Sequence, residues 1–246
     1  MKNQTTPSKI KVSFSWSGGK DSAFALWKLQ NDSMFEVRRL HTTFGEETRR
    51  VGLHGIHEDL IVAQADSLGL PLDKIFYPAS GDNQAYEKAM NKYLDVLESE
   101  GIRHIAFGDI FLEDLRKYRE EKLAERGFHA IFPLWKIDTT VLANDFIKAG
   151  FKTLICAADA DLISKEKVGM DFSKEFLESL PKGADPCGEN GEFHSFCYSG
   201  PIFENALELE VEEILSKSYD IPLATGAVDK KHYWFAAIHS LGSKSH

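Results

Sequence analysis

The chain has 246 residues, enough for one large or two small domains with a substantial buried core. Apolar residues make up 43% and charged residues 27%, which excludes a disordered composition. With 29 Lys and Arg against 38 Asp and Glu, the formal net charge is −9, so bare nucleic acid is not an expected partner. A few local groups can still hold a small anion. The cysteines, Cys156, Cys187 and Cys197, stand 31 and 10 residues apart, form no CxxC pair and suggest no disulfide framework. The polar N-terminal stretch lacks the apolar core of a signal peptide, and no apolar run is long enough to cross a bilayer. The expectation is a soluble, cytoplasmic protein without membrane association.

Residues 10–16 alternate apolar and polar side chains and read as a strand, followed by the turn Ser17-Gly18-Gly19. Helical spacing runs from Asp21 to about Gln30, with Ala23, Leu26, Trp27 and Gln30 on one face. Residues 35–43 read as a strand and 57–68 as a helix stopped by Gly69 and Pro71. A strand at 74–77, a helix at 83–100 and a strand at 104–108 continue the alternation. The fold class is therefore α/β, with right-handed crossovers and a mainly parallel sheet. Residues 112–126 read as a charged amphipathic helix with pairs such as Glu113–Lys117. Beyond it come a helix at 139–149, a buried strand at 152–157, a helix ending near Leu180 and a glycine-rich segment at 183–191. Leu207, Leu209 and Val211 alternate with Glu208, Glu210 and Glu212 as in a half-solvated strand, and residues 231–238 suit an antiparallel neighbour. The pattern changes near 133–140, which divides the chain into a nucleotide-binding domain at 1–135 and a smaller α+β domain at 136–246. The terminal strands are expected to pack on the core or to join copies into a homo-oligomer.

The segment Ser15-Trp16-Ser17-Gly18-Gly19-Lys20-Asp21-Ser22 carries the most chemistry. It joins the first strand to the first helix, where a parallel sheet offers its ligand crevice. Gly18 and Gly19 let the backbone turn and approach a ligand, and the helix N-terminus behind them favours an anion. Lys20 adds a mobile positive charge, Ser17 and Ser22 add hydroxyls, and Asp21 suits a Mg²⁺ ion or a helix cap. Walker A fails here, because Phe14 and Asp21 occupy its first and last positions; GxGxxG fails because the glycines are adjacent.

The segment resembles, residue by residue, the SGGxDS loop of the PP-loop ATP-pyrophosphatase superfamily. That resemblance implies a HUP-type, Rossmann-like domain holding the β and γ phosphates of ATP for attack at the α-phosphorus. Two further stretches, Gly108-Asp109-Ile110-Phe111-Leu112-Glu113-Asp114-Leu115-Arg116 and Asp185-Pro186-Cys187-Gly188-Glu189-Asn190-Gly191-Glu192-Phe193-His194-Ser195-Phe196, extend the likeness. With the loop, they resemble the diphthine–ammonia ligase family over roughly residues 11–203. The resemblance implies an active site between the two domains, where a carboxylate is adenylated and ammonia then displaces AMP. Glu189 or Glu192 would bind ammonium and take its proton. The family carries E-G-G-E-[FY]-E-[ST] at the second stretch; this chain has Asn190 for Gly and His194 for Glu. The change from carboxylate to imidazole at a substrate-facing position supports the ligase chemistry more than it supports diphthine as substrate. Some bacterial relatives of the Asn/His form are associated with cobalamin metabolism, which adds small-molecule and corrinoid carboxylates as candidates. A tRNA-modifying enzyme and a non-catalytic ATP sensor are the competing readings.

The catalytic candidates are thus Lys20, Glu189, Glu192 and His194. Those for the nucleotide are Ser17, Gly18, Gly19, Lys20, Asp21, Ser22, Gly108 and Asp109, with Asp21 the metal ligand. Asp109 faces the nucleotide or caps the following helix; Arg116 and Arg119 are candidates to contact phosphate or substrate, with surface ion pairing the preferred reading of Arg119. Cys187 reads as a buried, inert thiol. His54 and His57 resemble a metal pair only superficially, with Gly55 between them, and no zinc site is expected.

Overall fold

The computed structural model describes residues 8–52, 54–78, 83–222 and 228–241. In chain order, the first half contains β1 (Ile10–Ser15), α1 (Lys20–Gln30), β2 (Phe35–Gly45), β3 (Arg50–Val51), β4 (Ile56–His57), α2 (Glu58–Ser67), β5 (Leu72–Tyr77), α3 (Asn83–Ser99), β6 (His104–Ala106), α4 (Glu113–Ala124) and β7 (His129–Ile131). The second half contains α5 (Thr139–Lys148), β8 (Lys152–Asp159), α6 (Lys174–Glu178), β9 (Phe193–Ser199), β10 (Leu209–Pro222) and β11 (Val228–Ser240).

Five strands form a parallel sheet in the order β5-β2-β1-β6-β7. The chain leaves β1 toward β2 and β5, then crosses back to lay β6 and β7 on the other side. The crevice beyond the carboxyl ends of β1 and β6 is therefore the topological switch point, and the glycine loop and Gly108-Asp109 both open into it. A second sheet, antiparallel, has the order β10-β11-β8-β9. The α/β reading thus holds, with a smaller antiparallel sheet after it.

Helix α1 lies between the two sheets. Ser22, Ala23, Phe24, Ala25, Leu26 and Leu29 are all buried, so the burial wraps around most of the helix rather than following one stripe. Gln30, expected on the apolar face, is exposed, and Trp27 is half-buried. The reason is the second sheet, whose side chains cover what would otherwise be the outer face. Phe24 packs 5.9 Å from Phe146 and 5.9 Å from Phe151, carrying one apolar core across both halves of the chain. Burying each such phenyl contributes about 1.5–3 kcal/mol.

Four strands have no counterpart in the sequence pattern. β3, β4 and β7 have two or three residues each, too few for periodicity. β9 lies within the second motif, whose residues read as chemistry rather than as a strand. The half-solvated strand starts at Leu209 and runs to Pro222, with a register shift between Val211 and Glu213. Its expected partner, β11, pairs along its length and meets β8 through Tyr233, Trp234 and Phe235. Among the described residues, no helix is long and apolar enough to cross a membrane.

Candidate functional site

The glycine loop is fixed by contacts from both halves of the chain. Gly18 has φ 81°, and a Cβ there would stand 2.7 Å from Ile61 Cδ1 and 2.8 Å from Gln64 Oε1. Only glycine satisfies both the backbone angle and the space. The Gly18 carbonyl accepts from Gln64 Nε2 at 3.0 Å and from the Cys197 N–H at 2.8 Å. Gln64 is fully buried; it also donates to the Cys197 carbonyl and accepts from Trp16 Nε1 at 2.8 Å. One residue further on, the Lys20 N–H donates to Ser195 Oγ at 3.1 Å. Ser17 and Ser22 approach to 3.2 Å, and Ser22 Oγ donates to the Gly19 carbonyl at 2.9 Å.

Lys20 is not the mobile cation the sequence suggested. It is 3% exposed, and its Nζ lies 2.7 Å from each Asp21 carboxylate oxygen and donates to the Cys187 carbonyl. The rings of Phe172 and Phe193 stand 5.8 and 5.7 Å from the ammonium. Burial opposes its charge, but Asp21, followed by Cys187 and Glu189, more than offsets this and holds its pKa above the ordinary lysine value. Burial raises the Asp21 pKa, with Lys20 opposing. The side chain that was to hold Mg²⁺ is thus engaged in a buried ion pair, a geometry in which losing either partner strands a charge.

A cleft of about 380 Å³ opens at the switch point. Ser17, Lys20, Asp21, Ser22, Gly108, Asp109, Glu189 and His194 line it, joined by His54, Arg119 and Ser195. Gly108 has a steric reason to be glycine. A Cβ there would stand 2.9 Å from Ser22 N and 3.0 Å from the Asp21 carbonyl carbon, so the end of β6 touches the start of α1. Asp109 does not cap α4, whose N-cap is Leu112. Its carboxylate instead faces Arg119, with Nε 3.1 Å from Oδ2, and burial raises its pKa against that pairing. Arg119, read as a surface ion pair, thereby belongs to the cleft wall.

Residues 10–130 match the family model described as the diphthamide synthase N-terminal domain, and residues 138–233 match the diphthamide synthase C-terminal domain. The chain belongs to the diphthamide synthase family. Its curated relatives include diphthine–ammonia ligases of Danio rerio, 22% identical over 83% of this chain and 88% of theirs, and of Homo sapiens, 25% identical over 86% and 87%. The diphthine–ammonia ligase of Bos taurus is 24% identical over 86% and 87%. A solved structure, the U34-tRNA thiolase NcsA from Methanococcus maripaludis with its [4Fe-4S] cluster, aligns with TM-score 0.37 and 19% identity over 60% of each chain.

Within this chain, the two glutamates of the second motif have different environments. Glu192 is buried outside the cleft lining; its carboxylate accepts from the Asp185 N–H at 2.8 Å, the Asn190 N–H at 3.0 Å and Asn190 Nδ2 at 3.1 Å. Burial opposes its charge, but these donors hold its pKa below the usual carboxylate range. Asp185 closes the same turn by accepting from the Cys187 N–H at 2.8 Å and from Thr139 Oγ1 at 2.7 Å. Together they present Glu189 to the cleft. Burial, with Asp21, Asp185 and Asp109 outweighing Lys20, pushes Glu189 up to about 8.

His194 meets His54, the rings 4.6 Å apart and tilted by 40°. Burial and Lys20 pull His194 down to about 4; burial, His194 and Lys20 hold His54 well below the usual range. The cysteines are free and buried, and burial pushes Cys187 up to about 12, which leaves an unreactive thiol. Arg116 lies outside the cleft lining, paired with Glu120 at 2.7 Å and set 4.6 Å from the Trp135 ring. Glu113 pairs with Lys136 at 3.0 Å rather than with Lys117.

The donor set fits Mg²⁺ carried by a nucleotide rather than a protein-enclosed metal. Asp21, Asp109 and Glu189 supply hard carboxylate oxygens to one cleft, and Asp109 Oδ2 is buried without an aligned hydrogen bond among the described residues. Among those residues no three His, Cys, Asp or Glu groups form a complete metal cage. Mg²⁺ keeps several waters and commonly takes its remaining ligands from phosphates.

His54, Ser195 and Arg119 line the cleft and Gln64 holds its glycine loop; none of the four was among the site residues expected from the sequence. Gln64 left one readable trace, a polar side chain among Leu60, Ile61 and Ala65 on the inner face of α2.

Proposed function

We propose that this chain uses ATP to adenylate a carboxylate, releasing pyrophosphate, and then joins the acyl group to ammonia, giving an amide, AMP and a proton. The observation that carries this reading is that Ser17, Lys20, Asp21 and Ser22, which flank Gly18 and Gly19, line one cleft with Glu189 at the switch point of the sheet, the two glycines themselves standing behind that lining. The loop and the N-terminus of α1 receive the triphosphate, with the Ser17 hydroxyl as a donor and Ser22, which donates to the Gly19 carbonyl, shaping the loop. Lys20 acts less as a reaching arm than as a fixed charge, orienting the loop through its own N–H and its ion pair. Asp109, whose Oδ2 has no aligned hydrogen bond, and Asp21, which would share its carboxylate with Lys20, would hold Mg²⁺, which supplies charge neutralisation for the leaving pyrophosphate.

Adenylation solves the leaving-group problem of a carboxylate. The second step needs neutral ammonia, so a base must remove a proton from ammonium. Glu189 suits that role, because it lines the cleft, carries a negative charge when ionised and has a pKa near the working range. Glu192 is the positioning residue that fixes its turn. The names of the curated relatives make protein-borne diphthine one candidate substrate, and His194 keeps a small-molecule carboxylate as the other.

The test is carboxylate-dependent exchange of labelled pyrophosphate into ATP, followed by AMP release when ammonium is added. Diphthine-bearing elongation factor and corrinoid acids serve as separate arms. Exchange with one class and amide formation on adding ammonium support the reading. ATP binding without exchange in either arm supports a nucleotide sensor instead.

A further inference from the structure

Around Glu189 the cleft is acidic: Asp21 bears on it most strongly, then Lys20 with the opposite sign, then Asp185 and Asp109. His54 and His194 line the same cleft, and Lys20 bears on both of their rings. His54 comes from the turn between β3 and β4, and His194 from β9, so the pair forms only where the two halves of the chain meet. The pair also abuts the glycine loop: a Cβ on Gly19 would stand 3.3 Å from His54 Nε2. His194 Nε2 is buried and has no hydrogen-bond partner among the described residues. An unpaired buried polar atom is unfavourable, a penalty that a suitable ligand group would relieve.

We propose that the His54–His194 pair is the subsite for the group flanking the reacting carboxylate, and that it takes an uncharged, hydrogen-bonding group and rejects a fixed cation. This rests on the ligase reading above. Two neutral imidazoles offer hydrogen bonds but no counter-charge, and the Lys20 ammonium that bears on both rings already has its carboxylate partner in Asp21. A quaternary ammonium would lose its hydration there without a partner in return. The glutamate that the resembling motif carries at this position would supply that partner. His194 therefore sets which carboxylates enter, by removing an attraction and adding a desolvation cost.

The experiment uses the full chain with ATP and Mg²⁺, its histidine rings labelled with ¹⁵N and the two signals assigned from His54→Gln and His194→Gln. Three small acids are titrated: N-acetylglycine, uncharged with an acceptor; 3,3-dimethylbutyrate, uncharged without one; and glycine betaine, the cationic isostere of dimethylbutyrate. N-acetylglycine is expected to bind most tightly, with betaine at least ten-fold weaker than dimethylbutyrate. His194→Glu should invert that last pair, whereas His194→Gln should keep its order. If His194→Glu fails to fold, His54→Gln serves, and should erase the preference for N-acetylglycine. Betaine binding as well as its isostere, an order unmoved by His194→Glu or by His54→Gln, or no acid shifting the two ring signals would each overturn the proposal. AMP formation is measured separately. A chain that makes AMP but prefers betaine loses only the subsite, and one that ranks the acids as expected but makes no AMP loses the ligase reading.

Discussion

The Cys197 backbone N–H donates to the Gly18 carbonyl at 2.8 Å, hydrogen-bonding a strand of the antiparallel sheet directly to the glycine loop at the end of the parallel one. The loop is therefore not a self-contained turn. Its shape depends on β9, which also brings Ser195 to the Lys20 N–H and His194 to the cleft. On the proposed reading nucleotide and acyl substrate share a single framework, because the strand that holds the loop also carries the second motif.

Gln64 is the side chain that ties these pieces together. Gln64→Leu keeps the volume but leaves Trp16 Nε1 without its acceptor and removes donors to the Gly18 and Cys197 carbonyls. Stranded buried groups of this kind cost about 1–3 kcal/mol each. Chemical denaturation should show a loss of about 2–4 kcal/mol, allowing for relaxation. ATP should bind more weakly at temperatures where the variant is still folded.

Gly18→Ala meets both an unfavourable φ and a Cβ 2.7 Å from Ile61 Cδ1. A destabilisation of about 1–3 kcal/mol is expected from the strain. Because the loop itself shifts, pyrophosphate exchange should fall by more than the folded fraction does. Equal losses in the two measurements would remove the loop from the phosphate site.

Lys20 cannot be tested by a single truncation alone. Lys20→Ala leaves the Asp21 carboxylate in the cleft wall without its partner, and breaking a buried pair costs about 3–5 kcal/mol. The double variant Lys20→Met, Asp21→Asn removes both charges and should recover most of that stability in thermal unfolding. It should still lack pyrophosphate exchange. Stability without activity in the double variant separates the two roles of the lysine.

Much of this architecture was legible in the chain. β1, the Gly-Gly turn and α1 announce a strand–turn–helix junction through local signals alone: alternation, then glycine, then helical spacing. Two features had no trace in the pattern, one set by backbone donors within a turn and one by contact between distant segments. Glu189 and Glu192 sit three positions apart in one turn, and only the N–H groups of Asp185 and Asn190 decide which of them is turned inward. His54 pairs with His57 only by proximity in sequence, whereas its partner in the fold is His194. The wide burial of α1 was equally hidden, because the sheet that covers its outer face comes from the other half of the chain.

Glu189 makes the pH dependence testable. Its pKa is raised from 4.5 to about 8 in the folded chain, so the folded state holds that proton more tightly than the unfolded one. Stability is therefore lost as pH rises between those two values. Glu189→Gln should unfold at a higher temperature than the parent above pH 8 and at nearly the same temperature near pH 4.5. Amide formation by the parent should rise with pH toward about 8 as the base ionises, and that limb should vanish in the variant. ATP binding should persist in the variant.

The most direct test of the adenylation chemistry follows the oxygen atoms of the carboxylate. With a substrate labelled with ¹⁸O in its carboxylate, together with ATP, Mg²⁺ and ammonium, the acyl-adenylate route predicts one ¹⁸O in the phosphate of the released AMP. Phosphate-group mass spectrometry reads this without reference to which residue acts. Label appearing in inorganic phosphate alongside ADP, or AMP released without label, would contradict it.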